Sequence, residues 1–599
     1  MPALHPTRAV AGPPLTARAE SLGLAGALLL FVALAALRAW DHPVPFYDDV
    51  AYLDAAARIR ESGGLLALVS AMFHGAWAED NRNPLYLALL SLVAGRDLGF
   101  HLRAQVLGIA LGAAALIASW FSARRLFGAR AALWVALLLA SSETLVAWSS
   151  REACEPLLLL FAALAFERLM RDSPSRAALA LGGLFAGFAQ LAKGTGIFIA
   201  FAACAAIAWE RFAREGFAGA PDQAGSGPQR SSRGGPRPGS PLARLRAAGF
   251  DLACVVGGLL AGGLPLFVRN QLRFHSPLHN YNDRFLWIDP LDDFSEVFAP
   301  GAMARLDRGP LAYLRALTPQ KALLRAGRGL GETLVHVGDS LSLVSPRPFG
   351  PVHIGWIALG LVAAALSVRL AARWPRGFRR RFFFAHAALM FSFFVFYNAV
   401  SGSSRYLLPL ALTLLFPLAE ALASAPLEGR WRAKMQSWPG RAAAAIALAV
   451  LLAVALDPRE HQAPPGFEAA FTAIRARVAP GEAFAVDARS HLQPYWAMDP
   501  RVRMEILSTS WGGELLSADA QLAGLRARGV RWVVIDGTSR KGELPRWFFA
   551  RELPLLPDGS LPIAPERDSI AALPALRVAW SDPGTPRRFA LLELLPAAP

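Results

Sequence analysis

The sequence predicts a mostly α-helical bundle that crosses a membrane many times, with a small α/β domain at its C-terminal end. Three observations predict this fold class. Hydrophobic residues make up 54% of the 599 residues and charged residues only 18%, whereas a soluble domain usually carries about 25% charged residues. Mean hydropathy is +0.35, and apolar runs close to the ~20 residues of a spanning helix recur along the chain. This composition excludes a soluble enzyme, a disordered protein and a fibrous repeat.

Each apolar run predicts one element of the membrane domain. The first lies at 21–40, and later ones lie near 104–123, 131–148, 153–170, 177–192, 195–210, 249–268, 352–371, 382–400, 405–424 and 441–456. The run from Pro84 to Val93 is too short to span and predicts an interfacial or re-entrant helix. When it is left out, every arginine-rich connection falls on one side of the membrane, as the positive-inside bias requires. We therefore predict about eleven spans, with the N-terminus inside and the C-terminus outside.

The predicted organisation has three regions: a cytoplasmic tail at 1–20, a membrane domain at 21–456 and an extracytoplasmic α/β domain at 457–599. Two outer loops, at about 41–101 and 270–350, are long for plain connections and are expected to carry function. The 213–247 segment is rich in Gly, Pro, Ser and Arg and predicts a disordered cytoplasmic linker.

The C-terminal region alternates helical and strand patterns. EAAFTAIRARV precedes AFAVDA, LAGLRARG precedes VRWVVIDG, and LRVAWS with FALLELL is typical of a closing hairpin. This region has no nucleophile elbow, phosphate-binding loop or metal motif. We expect it to cap a site or to bind a partner.

The net charge of +16 does not indicate a nucleic-acid partner, because the arginines cluster in short segments between apolar runs, which is the signature of membrane orientation. The three cysteines, Cys154, Cys204 and Cys254, stand singly in or beside apolar runs. Their spacing supports neither a metal site nor a disulfide framework, so packing roles are expected. Paired glycines, Gly257/Gly258 and Gly262/Gly263, fall inside an apolar run and favour close helix packing.

Asp48 and Asp49, in the motif FYDDVAY, follow the first span and head a helical stretch. Acidic side chains are electrostatically favoured at a helix N-terminus, so an N-cap with a first-turn acid is one interpretation. The other is a carboxylate at the membrane surface that takes a proton or binds a divalent cation.

A second acidic pair, Glu152 and Glu155, begins the fourth predicted span in the motif SSREACEP. Residues three apart share one face of a helix, so the pair could form an acceptor or cation site, or could anchor the helix at the interface. Lys193, in LAKGTG, lies between two apolar runs on the same predicted side. It either reaches to the interface or pairs with a phosphate.

Four arginines lie on the predicted outer side and fit the same phosphate-binding role: Arg82, Arg103, Arg269 and Arg405. An arginine in the outer turn of a span is costly when unpaired, so an anionic partner is expected. Outer acids and outer bases beside a bilayer together suggest chemistry on a phosphate-linked lipid.

The order of these motifs resembles the membrane glycosyltransferases of the GT-C superfold, in particular the protein O-mannosyltransferase and lipid A aminoarabinose transferase group. The resemblance covers roughly 20–460. It rests on the acidic pair followed by R-N-P-L-Y, S-R-x-x-x-E, L-A-K-G, V-R-N and S-R-Y-L-L-P, starting at Asp48, Arg82, Ser150, Leu191, Val268 and Ser404. Three positions depart from the family pattern: Asp49 replaces the usual Glu, Glu155 replaces an Asp, and Asn83-Pro84 replaces a double proline.

The resemblance implies an inverting transfer from a polyprenyl-phosphate sugar to an envelope lipid, glycan or protein acceptor on the outer face of a bacterial-type inner membrane. It implies that Asp48 and Asp49 are catalytic, with Asp48 acting as general base on an acceptor hydroxyl or amine, or orienting it for in-line attack on the anomeric carbon. Lys193, Arg269, Arg405, Arg82 and Arg103 would bind the lipid phosphate. Tyr86, Asn270 and Tyr406 would neighbour the substrate, and Glu152 and Glu155 would shape the acceptor site or hold a divalent cation.

Two other function classes stay open from the sequence. A transporter or flippase of lipid-linked sugars would also have many spans and outer charges, but it needs no general base. A degenerate, non-catalytic membrane scaffold would leave the acidic and basic motifs without a role. An oligosaccharyltransferase of the same superfold would differ in its donor only.

Overall fold

The computed structural model describes residues 16–42, 44–45, 48–79, 81–97, 99–217, 241–288, 309–345, 351–424, 466–487, 502–507, 518–536, 576–581 and 589–596. These residues are mostly helical, and one small mixed sheet lies near the C-terminal end. The predicted combination of a helical bundle with a small C-terminal α/β unit is therefore confirmed in outline.

The helices up to residue 274 are α1 (Ala17–Trp40), α2 (Asp48–Glu61), α3 (Gly64–Phe73), α4 (Pro84–Ser91), α5 (Gly99–Phe127), α6 (Ala129–Ala140), α7 (Glu143–Ser149), α8 (Glu155–Leu169), α9 (Arg176–Ala192), α10 (Ile197–Phe217) and α11 (Pro241–Phe274). The later helices are α12 (Gly309–Ala316), α13 (Pro319–Ser340), α14 (Pro351–Ala371), α15 (Phe378–Tyr397), α16 (Leu408–Ser424), α17 (Phe467–Arg477) and α18 (Ala518–Ala527). Short 3-10 helices occur at Gly194–Gly196, Tyr281–Trp287 and Ser404–Leu407.

Within the described residues, five helices are long and apolar enough to cross a membrane: Ala17–Trp40, Gly99–Phe127, Leu245–Phe274, Pro351–Ala371 and Ser404–Ser424. Shorter apolar helices, such as Ala129–Ala140 and Arg176–Ala192, coincide with further predicted runs. The predicted run at 441–456 lies outside the described residues. The total of eleven spans and the orientation stay predictions.

The predicted span near 131–148 is two helices, because α6 ends at Ala140 and α7 begins at Glu143. The Ser142 side chain accepts a hydrogen bond from the Leu145 amide at 3.4 Å, which caps the second helix. The Glu143 carboxylate binds Arg38 of the first helix at 2.8 Å. Glu143, a carboxylate inside an apolar run, therefore marks the start of a second helix, and Arg38 is its charged partner.

The prediction of a short helix near residues 84–93 is confirmed by α4, which has Pro84 in its first turn. The prediction of a disordered linker over 213–247 is wrong at both ends, since α10 continues to Phe217 and α11 begins at Pro241. Arginine, alanine and leucine are good helix formers and extend both helices into this segment. Residues 218–240 lie outside the described residues.

Helices α9 and α11 pack against each other through glycines. Gly258 and Gly262 of α11 face the backbone of Ala180 and Leu184 in α9, so closely that a Cβ at either glycine would overlap a carbonyl oxygen. Gly187 of α9 makes the reciprocal approach to α11. Small residues at such a contact let two helix backbones meet directly, as the sequence predicted for these glycines.

The second predicted outer loop, 270–350, contains a helix that its hydropathy did not reveal. This helix, α13, carries Arg325, whose side chain is only 2% exposed. The Arg325 guanidinium donates to the carbonyl oxygens of Phe285, Ile288 and Phe396 at 2.9–3.3 Å. This buried arginine ties the Tyr281–Trp287 segment to the bundle.

The C-terminal sheet has five strands: β1 (Ala483–Asp487), β2 (Arg503–Leu507), β3 (Val530–Asp536), β4 (Leu576–Ser581) and β5 (Phe589–Leu594). Their order is β2-β1-β3-β5-β4. The pairs β1–β2 and β1–β3 are parallel, while β3–β5 and β4–β5 are antiparallel. The helix-then-strand pattern and the closing hairpin predicted from the sequence are both present, and β2 is an additional strand.

Candidate active site

A cavity of about 650 Å³ lies where several chain segments meet. It is lined by the start of α2, residues 81–83, the end of α9 with the 3-10 turn after it, residues 280–285, the end of α15 and the Ser404–Leu407 turn. Its charged lining residues are Asp48, Arg82, Lys193, Asp283 and Arg405. Three of these are cations, so the cavity suits an anionic ligand.

Asp48 stands in the first turn of α2 and pairs with two arginines that are distant in sequence. Its carboxylate accepts a hydrogen bond from Arg405 Nη2 at 2.8 Å, and Arg82 Nη2 lies 3.6 Å away on its other oxygen. The side chain of Asp48 is 44% exposed. A ligand in the cavity can therefore reach this carboxylate although it is ion-paired.

Glu155 forms the buried centre of the same charge cluster. Its side chain is 1% exposed, and its Oε1 lies 2.6 Å from Lys193 Nζ and 3.6 Å from Arg405 Nε. A buried carboxylate needs such partners because desolvation of an unpaired charge is costly. We call Asp48, Arg82, Lys193 and Arg405, with Glu155 behind them, the charged wall.

Aromatic rings hold the three cations in place. Lys193 Nζ lies 4.6 Å from the centre of the Tyr406 ring, and Arg405 stacks over Trp148 at 4.5 Å. Arg82 lies 5.5 Å from the centre of the Tyr52 ring. Such contacts favour the charged form of each cation and fix its position.

The charged wall also sets the protonation of Asp48. Burial by itself would raise the pKa of this carboxyl, but Arg405, Arg82 and Lys193 outweigh burial and hold the pKa below its usual range. Asp48 is therefore ionised at neutral pH and is a weak proton acceptor.

Four residues predicted to bind phosphate or neighbour the substrate, Tyr86 among them, are not among the cavity-lining residues. Arg103 forms an exposed ion pair with Asp97 at 2.9 Å. Arg269 is 2% exposed, donates to the Glu79 carbonyl oxygen at 2.8 Å and stacks on Trp77. Asn270 donates to the carbonyl oxygens of Pro277 and His279. The last two shape the loops that carry lining residues.

A second buried polar cluster lies away from the cavity lining and contains other predicted site residues. Glu152, 1% exposed, contacts His101 Nδ1 at 2.6 Å, and His101 Nε2 lies 2.8 Å from the carbonyl oxygen of His42. Asp49 is 5% exposed, and Tyr86 is fully buried against Tyr52 in an edge-to-face contact. These residues support the first turn of α2, which presents Asp48.

The described residues do not form a cation site around the second acidic pair. Glu155 is engaged by Lys193 and Arg405, and Glu152 by His101. Among these residues, no group of three or more His, Cys, Asp or Glu side chains is arranged to hold a metal ion. We derive no step through a metal.

The sequence does not reveal another part of the cavity lining, to which Tyr281, Asn282, Asp283 and Phe285 contribute. We call these four residues the 281–287 wall. The Asn280 side chain caps the 3-10 helix by accepting from the Asn282 amide at 3.0 Å, and Asn282 Nδ2 donates to Asn81 Oδ1 at 3.2 Å. The signal for such a wall is slight, namely a cluster of Asn and Asp in a long outer loop.

Comparison with known proteins identifies one family. Residues 66–218 match the model of the family described as dolichyl-phosphate-mannose-protein mannosyltransferase. This match confirms the resemblance predicted from the motifs over a segment that includes Arg82, Glu155 and Lys193. Among curated protein sequences, none matches this chain.

Several solved structures are similar to the chain at low sequence identity. ArnT from Cupriavidus metallidurans bound to undecaprenyl phosphate is 14% identical over 95% of this chain and 99% of its own, with a TM-score of 0.47. The oligosaccharyltransferase AglB from Archaeoglobus fulgidus, in complex with an inhibitory peptide and a dolichol-phosphate, is 14% identical over 86% and 69%, with a TM-score of 0.45. The arabinofuranosyltransferase AftD from Mycobacteria is 15% identical over 98% and 40%, with a TM-score of 0.43.

Proposed function

We propose that the chain is an integral-membrane, inverting glycosyltransferase that moves a sugar from a polyprenyl-phosphate donor to an envelope lipid, glycan or protein acceptor. The charged wall carries this proposal, because Asp48 and Glu155 hold three cations around one cavity. The matched mannosyltransferase family supports a lipid-phosphate sugar as the donor class.

The cations of the charged wall suit the leaving group of such a reaction. As the bond between the anomeric carbon and the phosphate oxygen breaks, negative charge develops on the lipid phosphate. Lys193, Arg405 and Arg82 stabilise that charge, and their ion pairs and aromatic contacts position them in advance.

Asp48 has a role distinct from that of the cations. It joins Arg405 to Arg82 and exposes its carboxylate to the cavity. In the proposed reaction it orients the attacking group of the acceptor for in-line displacement at the anomeric carbon. Asp49, Glu152 and Tyr86 act as positioning residues behind it, as does Asn270 behind its own loop, whereas Tyr406 lines the cavity.

The test is a transfer assay in proteoliposomes with radiolabelled polyprenyl-phosphate sugars and membrane acceptors. We expect the wild-type protein to transfer label and the Asp48→Asn variant to lose about 100- to 1,000-fold of the rate. Asp97→Asn is a matched control, because Asp97 forms an exposed ion pair outside the cavity lining. Folding is followed by size-exclusion profile and thermal midpoint.

Three results would contradict the proposal. Unchanged turnover by Asp48→Asn would remove Asp48 from the reaction. Absence of transfer from every donor by a folded wild-type protein, together with movement of the lipid-linked sugar across the bilayer, would favour a flippase. Absence of both activities would favour a non-catalytic scaffold.

We further propose that the site opens to the outer face of a bacterial-type inner membrane and that the C-terminal domain lies on the same side. Reporter fusions at the C-terminus, one active only outside the cytoplasm and one only inside, test this orientation. Signal from the cytoplasmic reporter would overturn it.

A further inference from the structure

The cavity is lined by two aspartates in opposite electrostatic situations. Asp48 contacts two arginines. Asp283, on the 281–287 wall, has no hydrogen bond or ion pair from its carboxylate to any residue that the structure describes. It is exposed at the cavity surface. An ionisable group left without a protein partner inside a reaction cavity is a candidate for proton transfer.

Asp283 is held on a well-defined segment. The Asn280 cap and the Asn282–Asn81 hydrogen bond fix the start of its 3-10 helix. Arg325 binds the carbonyl oxygens of Phe285 and Ile288 at the other end. The Asp283 backbone amide donates to the Asn280 carbonyl at 3.0 Å. These contacts position the backbone that carries the Asp283 carboxylate, which forms no hydrogen bond or ion pair with the described residues.

A series of aromatic rings lines the cavity between Lys193 and this segment, which also contacts the chain beside the cations through Asn280 at Gly194 and Asn282 at Asn81. Lys193 contacts the Tyr406 ring, the centres of the Tyr406 and Tyr397 rings are 5.8 Å apart, and Phe285 lies 6.4 Å beyond Tyr397. Asp283 itself forms no ion pair with Arg82, Lys193 or Arg405. The aromatic rings provide a surface on which a sugar ring can pack.

In-line displacement needs a proton acceptor on the side of the attacking group. The acceptor attacks the anomeric carbon from the side opposite the leaving phosphate, at a near-attack distance of about 3–3.5 Å. The group that takes its proton must lie a further hydrogen-bond length away, about 2.6–3.2 Å. Asp48 is held in ion pairs with Arg405 and Arg82 and orients the acceptor, whereas Asp283 forms no ion pair with a described residue and is available to take the proton.

We propose that Asp283 is the proton acceptor of the transfer reaction. The acceptor oxygen or nitrogen forms its bond to the anomeric carbon while the bond from that carbon to the phosphate oxygen breaks. The electron pair of the broken bond leaves with the lipid phosphate, which the cations neutralise, and the proton of the acceptor passes to Asp283. This inference rests on the proposed glycosyltransferase function.

The ionisation of the two aspartates agrees with this division of roles. The cavity surface partly desolvates the exposed Asp283 carboxyl and raises its pKa to about 6, and the three cations do not offset this effect. Among the described residues, the titratable or charged groups on the surrounding surfaces are Tyr52, Tyr281, Tyr313, Tyr397, Tyr406, Cys154, Asp48, Arg82, Lys193, Arg405 and Arg325. Paired carboxyls whose environments drive their pKa values apart are typical of divided roles. Because a base must be deprotonated to act, kcat/KM should fall as the pH drops through about 6.

The test compares wild type with Asp283→Asn, Asp283→Glu and Asp283→Gly across pH 5–8 (about the range in which such a group titrates) in the proteoliposome assay. We expect kcat/KM of Asp283→Asn to be about 100- to 10,000-fold lower than that of wild type. Its pH profile should also lack the acidic limb, which is the fall in kcat/KM below about pH 6. Asp283→Glu should recover part of the rate, and the pH at which its kcat/KM falls should be displaced from that of wild type. Added formate should raise the rate of Asp283→Gly, because a small acid can replace the missing base.

A binding measurement keeps the result independent of folding. Asp283→Asn should bind undecaprenyl phosphate with wild-type affinity, whereas Arg405→Ala should bind it more weakly. Asp97→Asn serves as the matched control in both measurements, since its exposed ion pair is remote from the cavity lining.

Four outcomes would overturn the assignment. Wild type could transfer sugar while Asp283→Asn retains its rate within about threefold. The acidic limb could persist in Asp283→Asn, or Asp283→Gly could show no response to formate. Loss of lipid-phosphate binding by Asp283→Asn would indicate a structural role. Each of these four outcomes rejects the role of Asp283 and leaves the proposed glycosyltransferase function in place. Absence of transfer by wild type from every donor would instead reject the proposed function.

Discussion

The two walls of the cavity are built by opposite means. On the charged wall, Asp48 and Glu155 neutralise Arg405, Arg82 and Lys193, so each charge is stabilised by another side chain. On the 281–287 wall, amide side chains and backbone carbonyls supply the contacts, and the one charged lining residue described there, Asp283, has no partner.

This difference separates two requirements of group transfer. Charge that must already be in place when the donor arrives is held by ion pairs before binding, which lowers reorganisation during the reaction. A group that must change its protonation state within each cycle cannot be locked in an ion pair. Each wall therefore predicts a different response to substitution.

The largest expected effect is on the stability of the charged wall. Glu155→Gln removes the carboxylate that Lys193 contacts at 2.6 Å and leaves a cation without its partner in a largely buried position. Breaking a buried pair in this way costs about 3–5 kcal/mol, which we expect as a marked fall of the thermal midpoint in detergent. The control is Glu61→Gln, whose ion pair with Arg96 is on the surface and should contribute about 0–1 kcal/mol.

A double variant sharpens this prediction. Glu155→Gln combined with Lys193→Met removes both charges, so part of the lost stability should return. If the double variant is as unstable as the sum of the two single variants, the pair does not act as a unit.

The next effect concerns donor binding by the charged wall. Arg405→Ala removes a guanidinium that lies 2.8 Å from Asp48, and charge-assisted hydrogen bonds to a phosphate are lost with it. We expect the KM for the donor to rise, or the rate at limiting donor concentration to fall, by about 10- to 100-fold. The KM for the acceptor should change less. Arg176→Ala, which removes an exposed ion pair with Asp251, is the control. A larger effect on the acceptor than on the donor would refute the phosphate assignment.

The smallest effect tests how the 281–287 wall is held. Arg325→Lys keeps the charge but loses the planar fork that reaches several carbonyl oxygens. We expect kcat to fall by about tenfold while undecaprenyl phosphate binding is unchanged, because about one charged hydrogen bond is lost. Arg328→Lys, an exposed position on the same helix, is the control. Equal loss of phosphate binding would show that the two walls are not independent.

Much of the fold follows from the sequence because hydropathy acts locally. Long apolar runs became helices at Ala17–Trp40, Gly99–Phe127 and Pro351–Ala371, and short apolar runs became the buried strands Val530–Asp536 and Phe589–Leu594. A carboxylate with a distant partner is invisible to such a pattern. The break before Glu143 therefore escaped prediction, since it depends on Arg38 more than one hundred positions away.

The helix Pro319–Ser340 escaped prediction for a related reason. Its polar residues lower the hydropathy of every window, yet Arg325 is buried because carbonyl groups from three other places satisfy it. Only the tertiary structure brings those carbonyls together.

The candidate site divides in the same way. Asp48, Lys193 and Arg405 belong to motifs that could be recognised, and the structure brings them together around one carboxylate cluster. Asp283 belongs to no motif, and its place on the cavity surface depends on how residues 280–288 pack. Conversely, Arg103 fits the charge pattern but pairs locally with Asp97, because a pattern of charges does not fix which side chains meet.

The glycine contact between α9 and α11 has a mechanical consequence. With backbone against backbone, the two helices have little room to slide, so their ends move as one body. Lys193 follows the end of α9, and Arg269 near the end of α11 holds the Glu79 carbonyl three residues before Arg82. The end of the cavity that would bind the leaving phosphate is therefore built from segments that move together. Any widening that admits a bulky acceptor has to come from the segments around residues 280–288, which are joined to this body by side-chain contacts.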